Sequence, residues 1–596
     1  MQTLLCHGPD AQARWAHALP WTGAQRVDVP GPCVLWVDRS LECSYECLLQ
    51  GARGWLFVRG WLDLEPEDTP DAFQARLERA WAARGARAAA MIQGAVVVLA
   101  WERQEDACWG MRPGPSTVPM VYAQHEGASA LSTSPLAALR ALGVTPTPRA
   151  SHLAMALHRD MWSRTVEDAL EGVRRVRPGE GVCVGGARRR HVQLWSPSTR
   201  AVRVSYDDAR AQLEGVLTRW WRAQRATDAL SMSAGIDSST MALMRTRLDP
   251  DPRAARVFSM ISPSIPASDE FPEIQQLARI GGLEVHPLDL GLSMRVDDAL
   301  WEEQVGLGPM LHAGMTYERA FLKWMTQPET TSLLGGYGAD ESLLCLPALH
   351  MRSLWTHRNL NLRHLTHPRL RRATWRQGAV LAARSLGVSA PGRQGQQVPG
   401  RALWRDVSNW SRVADPATQR PAPPLGDMAL WGHHRWLLTQ GWGWEWFARI
   451  LWRHILATGK RIHSPFLTRR LWELTLEFDP EVLMRADTST GDLMDKAPLR
   501  AILARHGVDT SLTQRAKIKT FDKVVELSMA QTFSEAGGMR YLGRAERLRA
   551  RGMISDVLPR ALDGFLQAVG TSDTRRVGSV ALWHTLAVER WLEAVE

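Results

Sequence analysis

Apolar and polar positions along the chain fall into two regimes. Up to about residue 198 the apolar runs are short: 34–37, 54–58 and 95–101 read as strands, and 71–83 and 151–157 carry helical spacing. From about 199 to 350 the two kinds of stretch alternate. Strands are predicted at 229–232, 256–261, 284–288 and 331–334. Helices are predicted from Thr240 onward, from Asp269-Glu270-Phe271-Pro272 through Arg279, and over 317–325. That alternation predicts a parallel sheet with covering helices, whose ligands gather at the carboxyl ends of the strands. Residues 351 to about 428 are rich in Arg, His and Pro and read as a solvated linker. From about 429 onward the pattern is mostly helical.

Length and composition narrow the class. A chain of 596 residues with 45% hydrophobic and 22% charged residues holds two or more domains with real cores. The first residues lack a signal-peptide pattern, and no apolar run approaches the length of a membrane span, so a cytoplasmic protein is expected. Seven scattered cysteines, with Cys43 and Cys47 the close pair, suggest reduced thiols. The net charge of +10 is carried almost wholly by Arg, which reads as genome composition and not as a nucleic-acid site. Lysine occurs only at Lys323, Lys460, Lys496, Lys517, Lys519 and Lys523; four of the six, Lys496 to Lys523, fall within one short segment, a candidate for work needing a compact charge. Among the 27 tryptophans, the groups Trp220-Trp221 and Trp442-Trp444-Trp446 are read as core filler.

The stretch carrying chemistry is Ser233-Ala234-Gly235-Ile236-Asp237-Ser238-Ser239, between the strand 229–232 and a helix. A small-residue turn there aims backbone N–H groups, hydroxyls and a positive helix end at one point, which makes an anion cradle. Asp237 would repel a bare phosphate, so a bridging Mg²⁺ is expected. A second glycine-rich turn, Gly335-Gly336-Tyr337-Gly338-Ala339-Asp340-Glu341, follows the strand 331–334 and offers Asp340 to the same ion.

The first stretch resembles the pyrophosphate loop of ATP pyrophosphatases, with Ala234 in place of its first glycine. The second resembles the Gly-x-Gly-x-Asp-Glu loop of the asparagine synthetase superfamily. Further matches come in that superfamily's order. They include Gly94-Ala95-Val96, Asp106-Ala107-Cys108-Trp109-Gly110, Ala130-Leu131-Ser132-Thr133-Ser134 and Val173-Arg174-Arg175-Val176-Arg177-Pro178-Gly179 in the first half. Ser464-Pro465-Phe466-Leu467-Thr468, Lys496-Ala497-Pro498-Leu499-Arg500-Ala501 and Arg515-Ala516-Lys517 follow in the second. The resemblance implies an α/β protein in two parts. Residues 1–198 would form a glutaminase-like (Ntn-type) αββα sandwich. Residues 199–596 would form an ATP-pyrophosphatase (adenine nucleotide α-hydrolase-like) parallel-sheet domain with extra helices and flexible basic, Pro-rich loops at about 366–426.

The resemblance also implies ATP and Mg²⁺. The expected ATP contacts are Leu230, Ser231, Ser233, Ala234, Gly235, Ile236, Asp237, Ser238, Ser239, Met260, Gly335, Gly336 and Gly338, and the expected metal ligands are Asp237 and Asp340. Lys517, with Lys519 as the alternative, would neutralise leaving pyrophosphate and the developing oxyanion. Tyr337 stands where ring-closing members of the superfamily carry a catalytic Tyr, and Glu445 is a candidate to orient it. Working glutaminases expose a Cys directly after the initiator Met; here Gln2 stands there and Cys6 lies further in, so the amine is expected from elsewhere than glutamine. Taken together, the chain most resembles the macrolactam synthetases of lasso-peptide biosynthesis. These adenylate an Asp or Glu side chain of a precursor peptide and join it to the peptide's own N-terminal amine. They usually work with a leader-peptide-binding protein and a leader peptidase; neither nucleic acid nor membrane is an expected partner. The alternatives are a small-molecule amide or β-lactam synthetase, a glutamine-independent amidating enzyme, a tRNA-modifying ATP pyrophosphatase, and a scaffold that has lost ATP cleavage. The tRNA enzyme is disfavoured by the glutaminase-like half and the missing Cys-x-x-Cys.

Overall fold

A computed structural model describes residues 3–8, 24–39, 43–64, 68–158, 165–185, 190–196, 204–224, 229–248, 256–266, 268–290, 308–309, 332–343, 439–478, 480–486, 493–513, 545–554 and 579–596. The helix expected over 317–325 and the loops at about 366–426 lie outside these residues.

Among the described residues the first part is built from twelve strands: β1 (Thr3–His7), β2 (Ala24–Val27), β3 (Cys33–Asp38), β4 (Tyr45–Gly51), β5 (Gly54–Leu62), β6 (Gly94–Glu102), β7 (Ala107–Arg112), β8 (Val121–His125), β9 (Ala128–Ser132), β10 (Val173–Arg175), β11 (Glu180–Val184) and β12 (Arg190–Gln193). They form two antiparallel sheets, ordered β10-β8-β9-β1-β3-β2 and β12-β11-β7-β6-β5-β4. The sheets pack face to face. Leu5, Leu35 and Leu131 of one share a core with Trp55, Phe57, Leu99 and Val182 of the other. Their outer faces are also covered. Phe73, Leu77 and Trp81 of the helix Pro70–Arg84 close the second sheet. The first sheet is closed by the helices Pro135–Ala141, Ala150–His158 and Ser579–Val595. Strands covered on both faces need no polar side, so β5 is buried at every position and 54–58 read as an apolar run; the buried Arg59 that follows is paired with Glu46.

The helix Ser579–Val595 was not readable as part of this layer. Its Trp583, Leu586 and Leu592 pack with Leu153, Leu157 and Val173, far earlier in the chain. Hydrophobic spacing marks a helix as amphipathic but does not name its partner.

The second part is a five-stranded parallel sheet ordered β15-β14-β13-β16-β17, with β13 (Ala229–Ser231), β14 (Val257–Ile261), β15 (Val285–Asp289), β16 (Ser332–Leu334) and β17 (Arg461–His463). The strand β17 falls where the sequence reads as helical. It has three residues, just after the helix Trp442–Thr458 ends at the left-handed Gly459, and so short a strand carries no period of its own. One face of the sheet is covered by the helices Tyr206–Arg222, Ile236–Leu248 and Ala497–Arg505. The other meets Leu451, Trp452 and Ile455 of Trp442–Thr458 and runs into the core between the two antiparallel sheets. Trp220, Trp221, Trp442 and Trp444 are buried, as core filler should be. Among the described residues no helix is long and apolar enough to cross a membrane.

Candidate active site

The sheet order places the site. β13, β14 and β15 step outward on one side, and the chain then crosses to put β16 on the other side of β13. The order of the strands therefore reverses between β13 and β16, and open α/β sheets bind ligands outside the carboxyl ends of the strands at such a point. Leu230 pairs with Leu334, so the Ser233 and Gly335 turns leave side by side.

The first turn is braced by its own hydroxyls. Ser233 N–H donates to Ser238 Oγ at 3.0 Å, Gly235 N–H donates to Ser233 Oγ at 3.1 Å, and Ser239 Oγ donates to the Ser233 carbonyl at 3.0 Å. The helix begins at Ile236, earlier than the apolar pattern from Thr240 suggests. Asp237 and Ser238 therefore stand in its first turn, where the positive helix end favours an acidic side chain. Ala234 N–H donates to Glu270 Oε2 at 3.2 Å, a brace that sequence reasoning missed. Leu230 is buried within β13, and Met260 sits partly buried near the end of the neighbouring β14.

The second turn packs directly on the first. A Cβ at Gly336 would lie 2.8 Å from Asp237 Cβ and 3.0 Å from Ser238 N, so only glycine allows this approach. Gly338 has φ +85 and a Cβ there would meet Leu467 at 2.7 Å. Tyr337 is partly buried, with its ring folded back over Gly335.

Asp237 and Asp340 converge on one cation, the ammonium of Lys496. Its Nζ donates to Asp237 Oδ2 at 2.5 Å and to Asp340 Oδ1 at 2.5 Å. Lys496 precedes the helix Ala497–Arg505 in a left-handed conformation, φ 51, unusual for a residue with a side chain. Burial pulls the Lys496 ammonium toward deprotonation, and the two carboxylates outweigh burial and hold it above the usual lysine range. Burial lifts Asp237 above the usual carboxylate range; Lys496 opposes that and Asp340 adds to it. Asp237 Oδ1 is buried with no hydrogen-bond partner among the described atoms. Two convergent carboxylates, one with an unpaired buried oxygen, fit Mg²⁺, which is commonly held by one or two carboxylates plus substrate phosphates. Among the described residues no three His, Cys, Asp or Glu side chains gather into a fuller metal set. Lys496 belongs to the lysine segment that the sequence marks as a candidate for chemistry; its place between the two aspartates is what the sequence does not show.

Glu445 lies in the helix Trp442–Thr458, fully buried. Arg112 Nη1 donates to its Oε2 at 2.6 Å, and Arg449 Nε to its Oε1 at 3.1 Å. Arg449 also pairs with Asp168, while Arg175 donates to the Gln440 carbonyl at 2.8 Å. Burial alone would raise Glu445, but the guanidiniums of Arg112, Arg449 and Arg175 overcome it and hold the carboxyl at about 2. Glu445 is thus the centre of a charge cluster joining the antiparallel sandwich to the helical part. Lys517, Lys519 and Lys523 lie outside the described residues.

In the first part, Cys6 is fully buried in the middle of β1, which is paired on both sides by β3 and β9. Burial, with Cys33 adding to it, raises its thiol far above the usual range. A thiol kept protonated and enclosed is not a nucleophile.

Residues 224–593 match the profile of the asparagine synthase family. No curated protein matches the chain. Two solved structures align with it, one titled as the allosteric regulatory enzyme of purine biosynthesis and the other as glutamine phosphoribosylpyrophosphate amidotransferase from B. subtilis complexed with ADP and GMP. Both are 11% identical over 48% of this chain, covering 80% and 81% of their own, with TM-scores of 0.23 and 0.22, too low to bear on the fold. The match spans more than half of the chain and contains both turns and Lys496, so the chain belongs to the asparagine synthase family, a family of ATP-dependent carbon–nitrogen ligases.

Proposed function

We propose that this protein is an ATP-dependent macrolactam synthetase that adenylates an Asp or Glu side chain of a precursor peptide and joins it to the peptide's N-terminal amine, releasing AMP and pyrophosphate. The observation that carries the ligase chemistry is the convergence of Asp237 and Asp340, from turns on adjacent parallel strands, upon one cation. Mg²⁺, held by these two carboxylates, would neutralise charge on the phosphate oxygens of ATP. The first-turn amides of Ile236–Leu248, at the positive end of that helix, would face those phosphates, with the Ser233–Gly235 turn braced internally beside them. Tyr337 stands beside that cradle to take the proton of the attacking amine. Lys517 supplies positive charge to the leaving group and the developing oxyanion.

The peptide reading is supported by Tyr337 and by the enclosed Cys6, which leaves the amine to be brought by the substrate. An amine and an acyl group tethered in one molecule react in an effectively unimolecular step. In this reading residues 1–198 are a glutaminase-like, Ntn-type sandwich without its nucleophile, and residues 199–596 carry the synthetase. A leader-peptide-binding protein and a leader peptidase act with it.

The test is incubation with candidate precursor peptides, ATP and Mg²⁺. The expected result is AMP and pyrophosphate together with a peptide lighter by one water. Turnover of a small amino acid with no peptide present would instead identify a small-molecule amide or β-lactam synthetase. Within the active protein, Lys517→Ala is expected to lower kcat by about a hundredfold or more, the scale of losing one transition-state charge contact. Lys523→Ala is expected to leave kcat within about twofold. Equal effects of the two changes, read by pyrophosphate release, would move the catalytic lysine elsewhere.

A further inference from the structure

We infer that Lys496 is an internal counter-ion that withholds the Asp237–Asp340 pair from divalent metal until nucleotide arrives, so that metal enters with ATP and not before it. This rests on the proposed reading of the two carboxylates as metal ligands. The geometry is direct: one ammonium stands 2.5 Å from Asp237 Oδ2 and 2.5 Å from Asp340 Oδ1. Two carboxylates held this close repel one another, and Lys496 removes that repulsion. A metal ion reaching the pair alone must first break both contacts and leave the ammonium beside a dication. A metal ion arriving with a polyphosphate displaces the same contacts, but the phosphate oxygens offer Lys496 new anionic partners in their place.

Three features suit Lys496 to this exchange. The side chain is 8% exposed, so its charge is costly to leave unpaired. Its long, flexible stem lets the ammonium shift while the backbone stays in place. The backbone is anchored: Tyr206 Oη donates to the Ala497 carbonyl at 3.0 Å, and Arg500 N–H donates to the Lys496 carbonyl at 3.2 Å. Lys496 cannot satisfy the whole carboxylate pair, since Asp237 Oδ1 remains buried with no hydrogen-bond partner among the described atoms. The pair is therefore occupied, but incompletely, and a divalent ion brought with phosphates has a ligand oxygen waiting.

The experiment is Mn²⁺ binding, followed by electron paramagnetic resonance, to the full chain with and without a non-hydrolysable ATP analogue. Wild type is expected to bind Mn²⁺ weakly alone and at least about tenfold more tightly with the analogue, a coupling of ordinary size. Lys496→Met and Lys496→Gly are expected to bind Mn²⁺ without nucleotide at least about tenfold more tightly than wild type. Gly accepts the left-handed backbone at this position, so the second variant keeps the test usable where Met disturbs the fold. Near-ultraviolet circular dichroism checks that fold. Equal nucleotide-free Mn²⁺ affinity in wild type and both folded variants would overturn the counter-ion role while leaving the metal site standing. No Mn²⁺ binding to any form, even with the analogue, would overturn the metal reading itself and the inference with it.

Discussion

Asp237→Ala is expected to lower pyrophosphate release by at least about a hundredfold while the protein keeps its fold. The argument starts from position. Asp237 stands in the first turn of Ile236–Leu248, against Gly336, and its carboxylate is one of the two that meet at Lys496. Removing it leaves a single carboxylate, Asp340, whose side chain is 67% exposed. An exposed carboxylate alone holds a divalent ion poorly. Little stability is at stake, because Lys496 keeps Asp340 as a partner and burial already disfavours the charge at Asp237. The measurement is initial-rate pyrophosphate release beside a thermal melt of the same preparation. A rate within a few fold of wild type, with the fold intact, would remove Asp237 from the chemistry and take the proposed function with it.

Glu445→Gln is expected to destabilise the protein by about 3–5 kcal/mol, the scale seen when one partner of a buried ion pair is removed. Arg112 and Arg449 would stay buried facing a neutral amide, with Asp168 still paired to Arg449. The pH dependence follows from the sign of the shift. The carboxyl is held at about 2 against an ordinary value of 4.5, so the folded state binds its proton less readily than the unfolded chain. Its charge therefore stabilises fully above about pH 4.5, and that stabilisation fades as pH falls toward about 2. The gap in urea midpoint between wild type and Glu445→Gln should be flat from neutral pH to about 5 and should narrow below that. A variant that melts with wild type but loses kcat would show that Glu445 orients Tyr337 instead of joining the two parts.

Much of the site was legible because its chemistry is local. The cradle from Ser233 to Ser239 and the turn from Gly335 to Glu341 each declare themselves through small residues after a short apolar run. Their two aspartates imply a shared cation. What the string could not convey was the identity of nearby charges from distant segments. Lys496 lies more than 150 positions beyond Asp340 in the chain, and Glu270 braces Ala234 from the next strand connection. Glu445 has its neighbours from distant segments too. The resemblance offered it as the partner of Tyr337, and the fold surrounds it with guanidiniums from Arg112 and Arg449.

The sequence by itself determined the class of the protein. Apolar runs made the two-sided strands, alternating strand and helix made the parallel sheet, and a small-residue turn and a glycine-rich turn, each with an aspartate, carried the resemblance to the family that the profile match shows. Those are properties of neighbouring residues, and neighbours in sequence are neighbours in space. The tertiary structure alone decided three things: that the last helix completes the first layer, that Arg112 and Glu445 bond the two parts together, and that an ammonium stands between Asp237 and Asp340. Each depends on long-range packing, where the burial of apolar faces carries charges to partners that no local pattern names.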